Sequence, residues 1–387
     1  MAEFSFDTLR RHPDVEADNL FAVDASDRLI LDEAAEALEE TVDDPGRVVV
    51  IGDNYGALTL GAAAVLGIHG IRVHQDARAS ELALAANARR ATGEDLSGRF
   101  RILPLDRELL EGATVVLLQL PRTLAALDDI SRAIAAWADP SVVVYAGGRV
   151  KHMTPAMNEV FGASFAEVVP TLARQKSRVL VVSGRRDGVG PALHRREHHP
   201  DLDLWVCASG NAFAGTKLDI GTRFLLPHLP EMKPDAHTAI DLGCGTGVLA
   251  AMLARQRPEL RVIATDQSAA AVESAVATMA ANHLDGSDPA VRATPVEVVQ
   301  DDALGGFDDA SADLVLLNPP FHVGSTVHAG IALKLFAAAG RVLAPGGELW
   351  TVFNSHLSYR AALHRAVGPT TQVDRNAKFT VMVSTKR

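Results

Sequence analysis

The sequence is poor in cysteine, since its 387 residues include only Cys207 and Cys244. Two thiols cannot form the disulfide framework on which small secreted domains depend, so we expect a reduced, cytosolic protein. The first residues contain no basic segment followed by an apolar one. The sequence therefore predicts no secretory leader and a cytoplasmic location.

Long hydrophobic runs are also scarce. Residues 54–71 contain no Asp, Glu, Lys or Arg, and they just reach the roughly 18 residues that indicate a membrane-spanning helix. Four glycines and His69 interrupt the stretch, which favours a buried helix that follows a strand. We therefore expect no membrane span and no membrane partner.

Basic residues are outnumbered, with 37 Lys and Arg against 48 Asp and Glu and a net charge of −11. That total argues against a nucleic-acid partner, because phosphate binding uses Lys and Arg. The acidity is local, however. Residues 1–50 hold 4 basic and 14 acidic residues, whereas residues 151–200 hold 8 and 4, and residues 351–387 hold 6 and 1. This distribution allows RNA to approach the basic regions.

The chain does contain a repeated alternation of short apolar strands and amphipathic helices, which is typical of parallel sheets with crossover helices. Its length suggests two or three domains, and an apolar fraction of 48% fits a globular protein. Three matches at nearly constant spacing indicate that a whole domain is duplicated. They pair Gly56 with Gly247, Asp76 with Asp266, and residues 114–119 with residues 313–318.

We predict a first domain over residues 1–185, a linker over 186–203 that is rich in Gly, Pro, His and Arg, and a second domain over 204–387. Strands of the first copy are predicted at Arg47–Ile51, Arg72–Gln75, Phe100–Pro104, Thr114–Leu118, Ser141–Tyr145 and Arg178–Val182. Those of the second copy are predicted at His237–Leu242, Arg261–Thr265, Val296–Gln300, Asp313–Leu317, Gly347–Phe353 and Phe379–Ser384.

A glycine-rich turn follows the first strand of the second copy, in Asp241-Leu-Gly-Cys-Gly-Thr-Gly247. Glycines at 243, 245 and 247 let the backbone approach a ligand and point N–H groups at it. The third glycine of a dinucleotide fingerprint would fall at position 248, which holds a valine. An acid before the first glycine suits an ammonium group better than a pyrophosphate, and Cys244 is expected to be a small filler.

Polar residues follow the next two strands. Asp266 ends the second strand, about 20 residues further on, where a carboxylate can accept both hydroxyls of a ribose. After the third strand, either Asp301 or Asp302 could accept an adenine amino group, and each also fits a solvated turn. These positions predict an S-adenosylmethionine site formed by Asp241, Gly243, Cys244, Gly245, Gly247, Asp266, Gln267, Asp301, Asp302 and Asn318.

The carboxyl end of the fourth strand carries Asn318-Pro-Pro-Phe321, at the edge where ligands of open α/β sheets bind. A planar amino nitrogen is a poor nucleophile, because its lone pair is delocalised into the base. The Asn318 side-chain oxygen and the Pro319 carbonyl could each accept an N–H, which favours the pyramidal nitrogen of the transition state. Pro320 stiffens the turn, and Phe321 offers a ring for stacking. We therefore predict Asn318, Pro319, Pro320 and Phe321 as catalytic residues.

At these residues the chain resembles known proteins. The glycine loop is similar to that of class I methyltransferases, and Asn318–Phe321 resembles the N-P-P-[FY] motif of methyltransferases that act on planar amino nitrogens. Further similarity, to the bacterial ribosomal RNA guanine-N2 methyltransferases, lies in Phe213–Thr222, Val352–Asn354 and Asn376–Phe379. Two stretches of the first copy, Gln119–Leu124 and Ala146–Lys151, look more like the large-subunit member of that pair.

The resemblance implies an α/β fold with two tandem Rossmann-like class I methyltransferase domains. Each would have a mostly parallel seven-stranded sheet, and the N-terminal copy would be degenerate. It also implies S-adenosylmethionine as the cofactor and methyl transfer to the exocyclic N2 of a guanine in ribosomal RNA or a ribosomal subunit. The target guanine would have to be unpaired or flipped, because its amine otherwise lies inside the stack.

The first copy departs from these motifs. Val50 stands where the second copy has Asp241, Asn54 stands for Gly245, and Gln119 stands for Asn318. We predict that this copy binds no cofactor and serves as a scaffold or an RNA-docking surface.

Two readings with other substrates stay open, because the same Asn-Pro-Pro-aromatic chemistry serves adenine N6 and a protein glutamine amide. A non-catalytic RNA-binding or assembly protein is a third reading, against which the intact Asp241, Asp266 and Asn318 argue. No metal is expected at His194, His198 and His199, since no cysteine or second cluster completes a site. The sequence leaves the oligomeric state open.

Overall fold

The structure, a computed structural model, describes residues 4–90, 95–289, 291, 294–320 and 326–387. The chain divides into two units, which we call unit 1 (Met1–Leu193) and unit 2 (His194–Arg387). The described residues of each unit form a seven-stranded sheet flanked by helices, and unit 2 adds a two-stranded hairpin.

In unit 1 the strands are short and rich in β-branched residues, as buried parallel strands are. They are β1 Val48–Ile51, β2 Ile71–His74, β3 Phe100–Ile102, β4 Val115–Gln119, β5 Val143–Arg149, β6 Phe165–Pro170 and β7 Ser177–Arg185. The helices are α1 Ala25–Glu39, α2 Ala57–Val65, α3 Arg78–Arg90, α4 Arg107–Leu110, α5 Leu124–Trp137 and α6 Ala156–Ser164.

Unit 2 begins with the hairpin, β8 Arg195–His199 and β9 Leu204–Ala208. Its sheet consists of β10 Thr238–Leu242, β11 Arg261–Asp266, β12 Glu297–Gln300, β13 Ala312–Leu317, β14 Leu343–Asn354, β15 Thr370–Arg375 and β16 Phe379–Thr385. Its helices are α7 Ile220–Leu225, α8 Val248–Gln256, α9 Ala269–Ala281, α10 Thr326–Val342 and α11 Arg360–Ala366.

The two sheets share one topology. Their strand orders are β3-β2-β1-β4-β5-β7-β6 and β12-β11-β10-β13-β14-β16-β15. The first five strands of each are parallel, whereas β7 and β16 run antiparallel to both of their neighbours. The expected fold, two tandem seven-stranded and mostly parallel sheets, is confirmed.

Alternating residues of the central strands fill the two faces of each sheet. In β1, Val48 and Val50 belong to one hydrophobic cluster, while Val49 and Ile51 belong to the other. In β13, Leu314 and Leu316 face one cluster, and Val315 and Leu317 face the other. This burial on both faces leaves the strand ends as the places where polar side chains can gather.

The predicted strands of the sheets are all present, but the sequence missed β6 and β15. Both strands lie at the end of a sheet and pair only with β7 or β16. Most of their side chains are exposed or half-buried, so neither strand has the continuous apolar run that marks a buried strand.

The hairpin was missed as well. Its first strand, β8, falls within residues 186–203, which the sequence predicted as a linker. Its residues are polar and largely exposed, and the strand forms because it pairs with β9, for example His198 with Trp205. The apolar side chains of β9 are mostly buried.

The uncharged stretch 54–71 contains α2, whose first seven residues are buried, and it ends at the first residue of β2. Among the described residues, no helix has both the length and the apolar character that crossing a membrane requires.

Candidate active site

The glycine loop lies between β10 and α8, and its backbone requires glycine. The backbone φ values of Gly243, Gly245 and Gly247 are 74°, 54° and 80°. Residues other than glycine rarely adopt positive φ values of this size. A Cβ added to Gly243 or Gly245 would meet no atom within 4 Å. The space next to Gly243 and Gly245 is therefore open to a ligand. Gly247, in contrast, packs closely against Met279 of α9.

Asp241 is buried at the end of β10, and its Oδ2 accepts a 3.0 Å hydrogen bond from the backbone N–H of Ala250 in α8. Burial raises the pKa of Asp241 to about 7, and the charge of Asp266 adds to the rise. Among the described residues, no Lys, Arg or His forms a salt bridge with it. A cationic group placed beside Asp241 would stabilise its ionised form.

Asp266 ends β11 and holds the turn that faces the glycine loop. Its two carboxylate oxygens accept hydrogen bonds from the backbone N–H groups of Gly245 and Ser268, each at 3.0 Å. Gln267 is exposed beside it, and its carbonyl accepts a bond from the Gln300 side chain at 3.0 Å. The structure thus brings Asp266 to the loop, as the sequence predicted.

The two candidate adenine acceptors after β12 have different surroundings. Both carboxylate oxygens of Asp302 accept hydrogen bonds from the Lys334 ammonium, at 2.8 and 2.6 Å. Asp301 accepts a 2.8 Å bond from the Gly306 N–H through Oδ2, and its buried Oδ1 has no partner among the described residues. Lys334 lies 32 residues further along the chain, so no local pattern predicts this ion pair.

Asn318 follows β13, and its amide is held on one side only. Its side-chain nitrogen donates to Asp219 Oδ2 at 2.7 Å and to Thr222 Oγ1 at 3.0 Å. Its oxygen, Oδ1, is buried and has no hydrogen-bond partner among the described residues. An unpaired buried acceptor is uncommon in folded proteins, which makes this oxygen a candidate acceptor for a ligand N–H.

The remaining predicted catalytic residues are less completely placed. Pro319 is buried and Pro320 is exposed, and Phe321 lies outside the described residues. Asp219 and Thr222 were not predicted, although both fall in the stretch Phe213–Thr222 that carried part of the resemblance.

Cys244 is buried inside the glycine loop. Burial, together with the charges of Asp266 and Asp241, raises the pKa of its thiol well above the ordinary value. The thiol therefore stays protonated at neutral pH, which fits a filler and does not fit a nucleophile.

Unit 1 has the same turn with different chemistry. In both units the strand register sets Val50 and Asp241 at the same place, since they pair with Leu117 and Leu316 of the corresponding strands. The carboxylate of unit 1 comes instead from the loop. Buried Asp53 accepts bonds from the N–H groups of Leu58 and Thr59, at 2.7 and 2.8 Å.

The counterpart of Asp266 in unit 1 is Gln75, and the sequence match with Asp76 was wrong. The Asn54 N–H donates to the Gln75 oxygen at 3.0 Å, just as the Gly245 N–H donates to Asp266. The register agrees, because His74 pairs with Ile51 as Thr265 pairs with Leu242. The match of Asp76 with Asp266 failed because it paired two residues of the same type. The strand register, which the sequence does not show, places Gln75 at the position of Asp266.

Two of the three histidines in and before β8, His198 and His199, have hydrogen-bond partners within the protein. His198 Nε2 lies 3.1 Å from Asp203, and His199 Nε2 lies 2.8 Å from the Thr216 carbonyl. Across the part of the chain that the structure describes, no group of His, Cys, Asp and Glu side chains is arranged to hold a metal ion.

The strand order, the glycine loop after β10 and the acids at the ends of β10 and β11 define a class I methyltransferase that uses S-adenosylmethionine. Comparisons with known families agree. Residues 203–383 match the family described as Methyltransferase small domain. Residues 1–186 match the RLMG N-terminal domain.

Curated relatives cover nearly the full chain. Ribosomal RNA large subunit methyltransferase G of Streptomyces avermitilis is 34% identical over 402 residues, which span 98% of this chain and 97% of the relative. The protein of the same name from Pseudomonas paraeruginosa is 34% identical over 383 residues, with the same coverage. The chain belongs to the ribosomal RNA large subunit methyltransferase G family.

Among solved structures, the chain is similar to the T. thermophilus 16S rRNA N2 G1207 methyltransferase RsmC in complex with AdoMet and guanosine. The TM-score is 0.70 at 20% identity, over 96% of this chain and 97% of that one. At this identity the likeness establishes the fold, and it extends over both units.

Proposed function

We propose that this enzyme transfers a methyl group from S-adenosylmethionine to the exocyclic N2 of a guanine in large-subunit ribosomal RNA. The observation that carries the proposal is the unpaired, buried Oδ1 of Asn318 at the carboxyl end of β13. An acceptor oxygen in this position suits an amino group on a planar base. The names of the curated relatives support large-subunit ribosomal RNA as the substrate.

The residues around the glycine loop fit the cofactor. Asp241 would receive its ammonium group, because this buried carboxylate forms no salt bridge within the described residues. Asp266 would accept the ribose hydroxyls, and the backbone at Gly243 and Gly245 leaves room for close approach. When bound, S-adenosylmethionine supplies an electrophilic methyl group on a sulfonium. We also assign Gln267, Cys244 and Gly247 to this site.

For the adenine amino group, we propose an acceptor in the loop after β12. The Oδ1 of Asp301 has no hydrogen-bond partner among the described residues, whereas both oxygens of Asp302 already accept hydrogen bonds from the Lys334 ammonium. Titration of cofactor into D301N and into D302N shows which residue is the acceptor. The variant that lacks the acceptor should lose more cofactor affinity than the other variant. A larger loss in D302N would assign the role to Asp302.

At the target base, Asn318 and Pro319 act as acceptors. The Asn318 Oδ1 would accept one amino N–H and the Pro319 carbonyl the other. Two acceptors held out of the base plane favour a pyramidal nitrogen whose lone pair is free to attack. Such positioning is worth most when the acceptors are fixed before the substrate arrives. Pro320 would hold the turn, and Phe321 would stack on the base.

For the domain organisation, we propose a degenerate domain over residues 1–185, a connection over 186–203 that includes the hairpin strand β8, and a catalytic domain over 204–387. The first domain would act as a scaffold or an RNA-docking surface without binding cofactor, since Val50 and Gln75 replace the two cofactor acids. Because ribosomal RNA is the substrate, we place the enzyme in the cytoplasm.

The test is transfer of a tritiated methyl group from S-adenosylmethionine to purified large and small ribosomal subunits, free ribosomal RNA and a protein extract. Digestion to nucleosides then identifies the product. We expect label in N2-methylguanosine from large-subunit RNA. Label in N6-methyladenosine or in protein would replace the guanine assignment, and the absence of transfer to every substrate would refute it.

A further inference from the structure

The amide of Asn318 has one orientation in this site, and Asp219 determines it. An ionised carboxylate can only accept hydrogen bonds. The Asn318 group that faces Asp219 Oδ2 at 2.7 Å must therefore be the NH₂. The Thr222 hydroxyl oxygen accepts from the same nitrogen at 3.0 Å. Both bonds turn Oδ1 away from Asp219.

The start of α7 supplies both anchors. Asp219 is the N-cap of this helix, and the same Oδ2 that meets Asn318 also accepts the backbone N–H of Thr222 at 2.9 Å. The helix cap thus fixes the carboxylate, and the carboxylate in turn fixes the amide. Gly221 makes the close approach possible, since an added Cβ would lie 3.0 Å from Asn318 Oδ1 and 3.0 Å from Asp219 Oδ2.

Unit 1 holds the corresponding amide in a comparable way. Gln119, the counterpart of Asn318, donates from its Nε2 to Asp27 Oδ1 and to the Ser26 hydroxyl, both near the start of α1. Its oxygen lies 3.4 Å from the Ser26 hydroxyl, whose single hydrogen has a closer acceptor in Asp24 Oδ1 at 2.9 Å. In both units, therefore, an acid and a hydroxyl at the start of a helix hold this amide by its nitrogen.

We propose that Asp219 and Thr222 are positioning residues that hold the Asn318 amide with its oxygen toward the target amino group. The inference rests on the proposed role of Asn318 in methyl transfer. Without these two acceptors, the amide can rotate and present its NH₂ to the substrate, where it would repel the amino N–H.

The test uses the full-length enzyme and the substrate that the wild type methylates. In D219S, the serine oxygen still caps α7, but the shorter side chain no longer reaches Asn318. In T222V, the hydroxyl acceptor is removed while the backbone N–H of the cap is unchanged. We expect D219S to lower kcat about tenfold or more, and T222V to lower it less, with KM for RNA and cofactor affinity close to wild type.

Conservative variants and a double-mutant cycle separate positioning from a purely structural role. D219N keeps an oxygen that can accept both bonds, and T222S keeps the hydroxyl, so each should restore most of the kcat lost in its partner variant. If Asp219 acts through Asn318, D219S should have no further effect on kcat in an N318A background. D24S, which changes the cap of α1 in unit 1, is the matched control and should leave kcat at the wild-type value.

The inference is overturned if D219S and T222V both turn over at the wild-type rate. It is also overturned if D219N is as slow as D219S, or if the effects of D219S and N318A multiply. If the proposed function is wrong, the result differs from the outcomes above, because the wild-type enzyme would then methylate an amino group other than guanine N2. The same cycle measured on that group would still decide whether Asp219 positions Asn318.

Discussion

In unit 1, the backbone N–H of Asn54 donates a 3.0 Å hydrogen bond to the side-chain oxygen of Gln75. In unit 2, Gly245 and Asp266 form the same bond with the same length. The turn geometry has therefore been retained in both units, while the carboxylate that can hold a ribose is present in one. We therefore attribute cofactor binding to the chemistry of this turn and not to the fold that the two units share.

The first prediction is that the full chain binds one S-adenosylmethionine. Unit 1 has Val50 in the place of Asp241 and Gln75 in the place of Asp266, and its α2 N–H groups at Leu58 and Thr59 are already bonded to Asp53. Isothermal titration of the wild type should give one site, and D241A should lose it. A second site that survives in D241A would show that unit 1 binds cofactor.

The second prediction concerns pH. Because burial raises the pKa of Asp241 to about 7, the free protein carries this group largely protonated below that pH. The cofactor ammonium favours the ionised form, so binding must release a proton in this range. Affinity should fall roughly tenfold between pH 7 and pH 5.5. D241N is the control, and its weaker binding should change little over the same range.

Release of that proton can be measured directly. Titrations at pH 6 in two buffers with different ionisation enthalpies should give different apparent heats for the wild type and equal heats for D241N. Equal heats for both proteins would contradict a raised pKa at Asp241.

The third prediction is that G221A impairs methyl transfer more than cofactor binding. The new methyl would lie 3.0 Å from Asn318 Oδ1, against the oxygen that receives the amino N–H. We expect kcat to fall roughly 10- to 100-fold. Gly162 in α6 is the matched control, because a Cβ there would meet nothing within 4 Å. If G221A turned over at the wild-type rate, Asn318 Oδ1 would have no role in methyl transfer.

The fourth prediction concerns the glycines that begin α2 and α8. A Cβ on Gly56 would lie 2.8 Å from Leu84, and one on Gly247 would lie 2.8 Å from Met279. G56A and G247A should each lower stability by about 1–3 kcal/mol through overpacking, beyond the strain of a positive φ. G67A and G243A carry that strain in open space, so each crowded variant should unfold at lower denaturant concentration than its control.

Much of the fold followed from the sequence because buried parallel strands have a strong local signal. Runs such as Val48–Ile51 and Leu314–Leu317 are apolar throughout, and turn-forming residues follow them, Gly52 after the first and Asn318-Pro-Pro after the second. The edge strands β6 and β15 lack this signal, since their side chains meet solvent and only one neighbour orders their backbone. Their pairing is a tertiary property, and a pattern of apolar residues does not record it.

The candidate site, like the fold, was predictable only in part. Asp241, Asp266 and Asn318 were predicted because each lies at or directly after the carboxyl end of an apolar strand. The partners of these residues were not found, because Asp219 lies 99 residues from Asn318 and Lys334 lies 32 residues from Asp302. The choice of Asp76 failed for a related reason, since strand register places Gln75 at that point of the turn.

The measurement that tests the account most directly is the rate of methyl transfer by N318A under single-turnover conditions, with cofactor affinity measured on the same preparation. Removing the Asn318 acceptor should lower the rate by about 10²–10³-fold, as loss of one preorganised hydrogen-bonding group does in other enzymes. Cofactor affinity should stay near wild type, because Asp241, Asp266 and the glycine loop are intact. Transfer at the wild-type rate in N318A would contradict the central claim that this side chain receives the target amine.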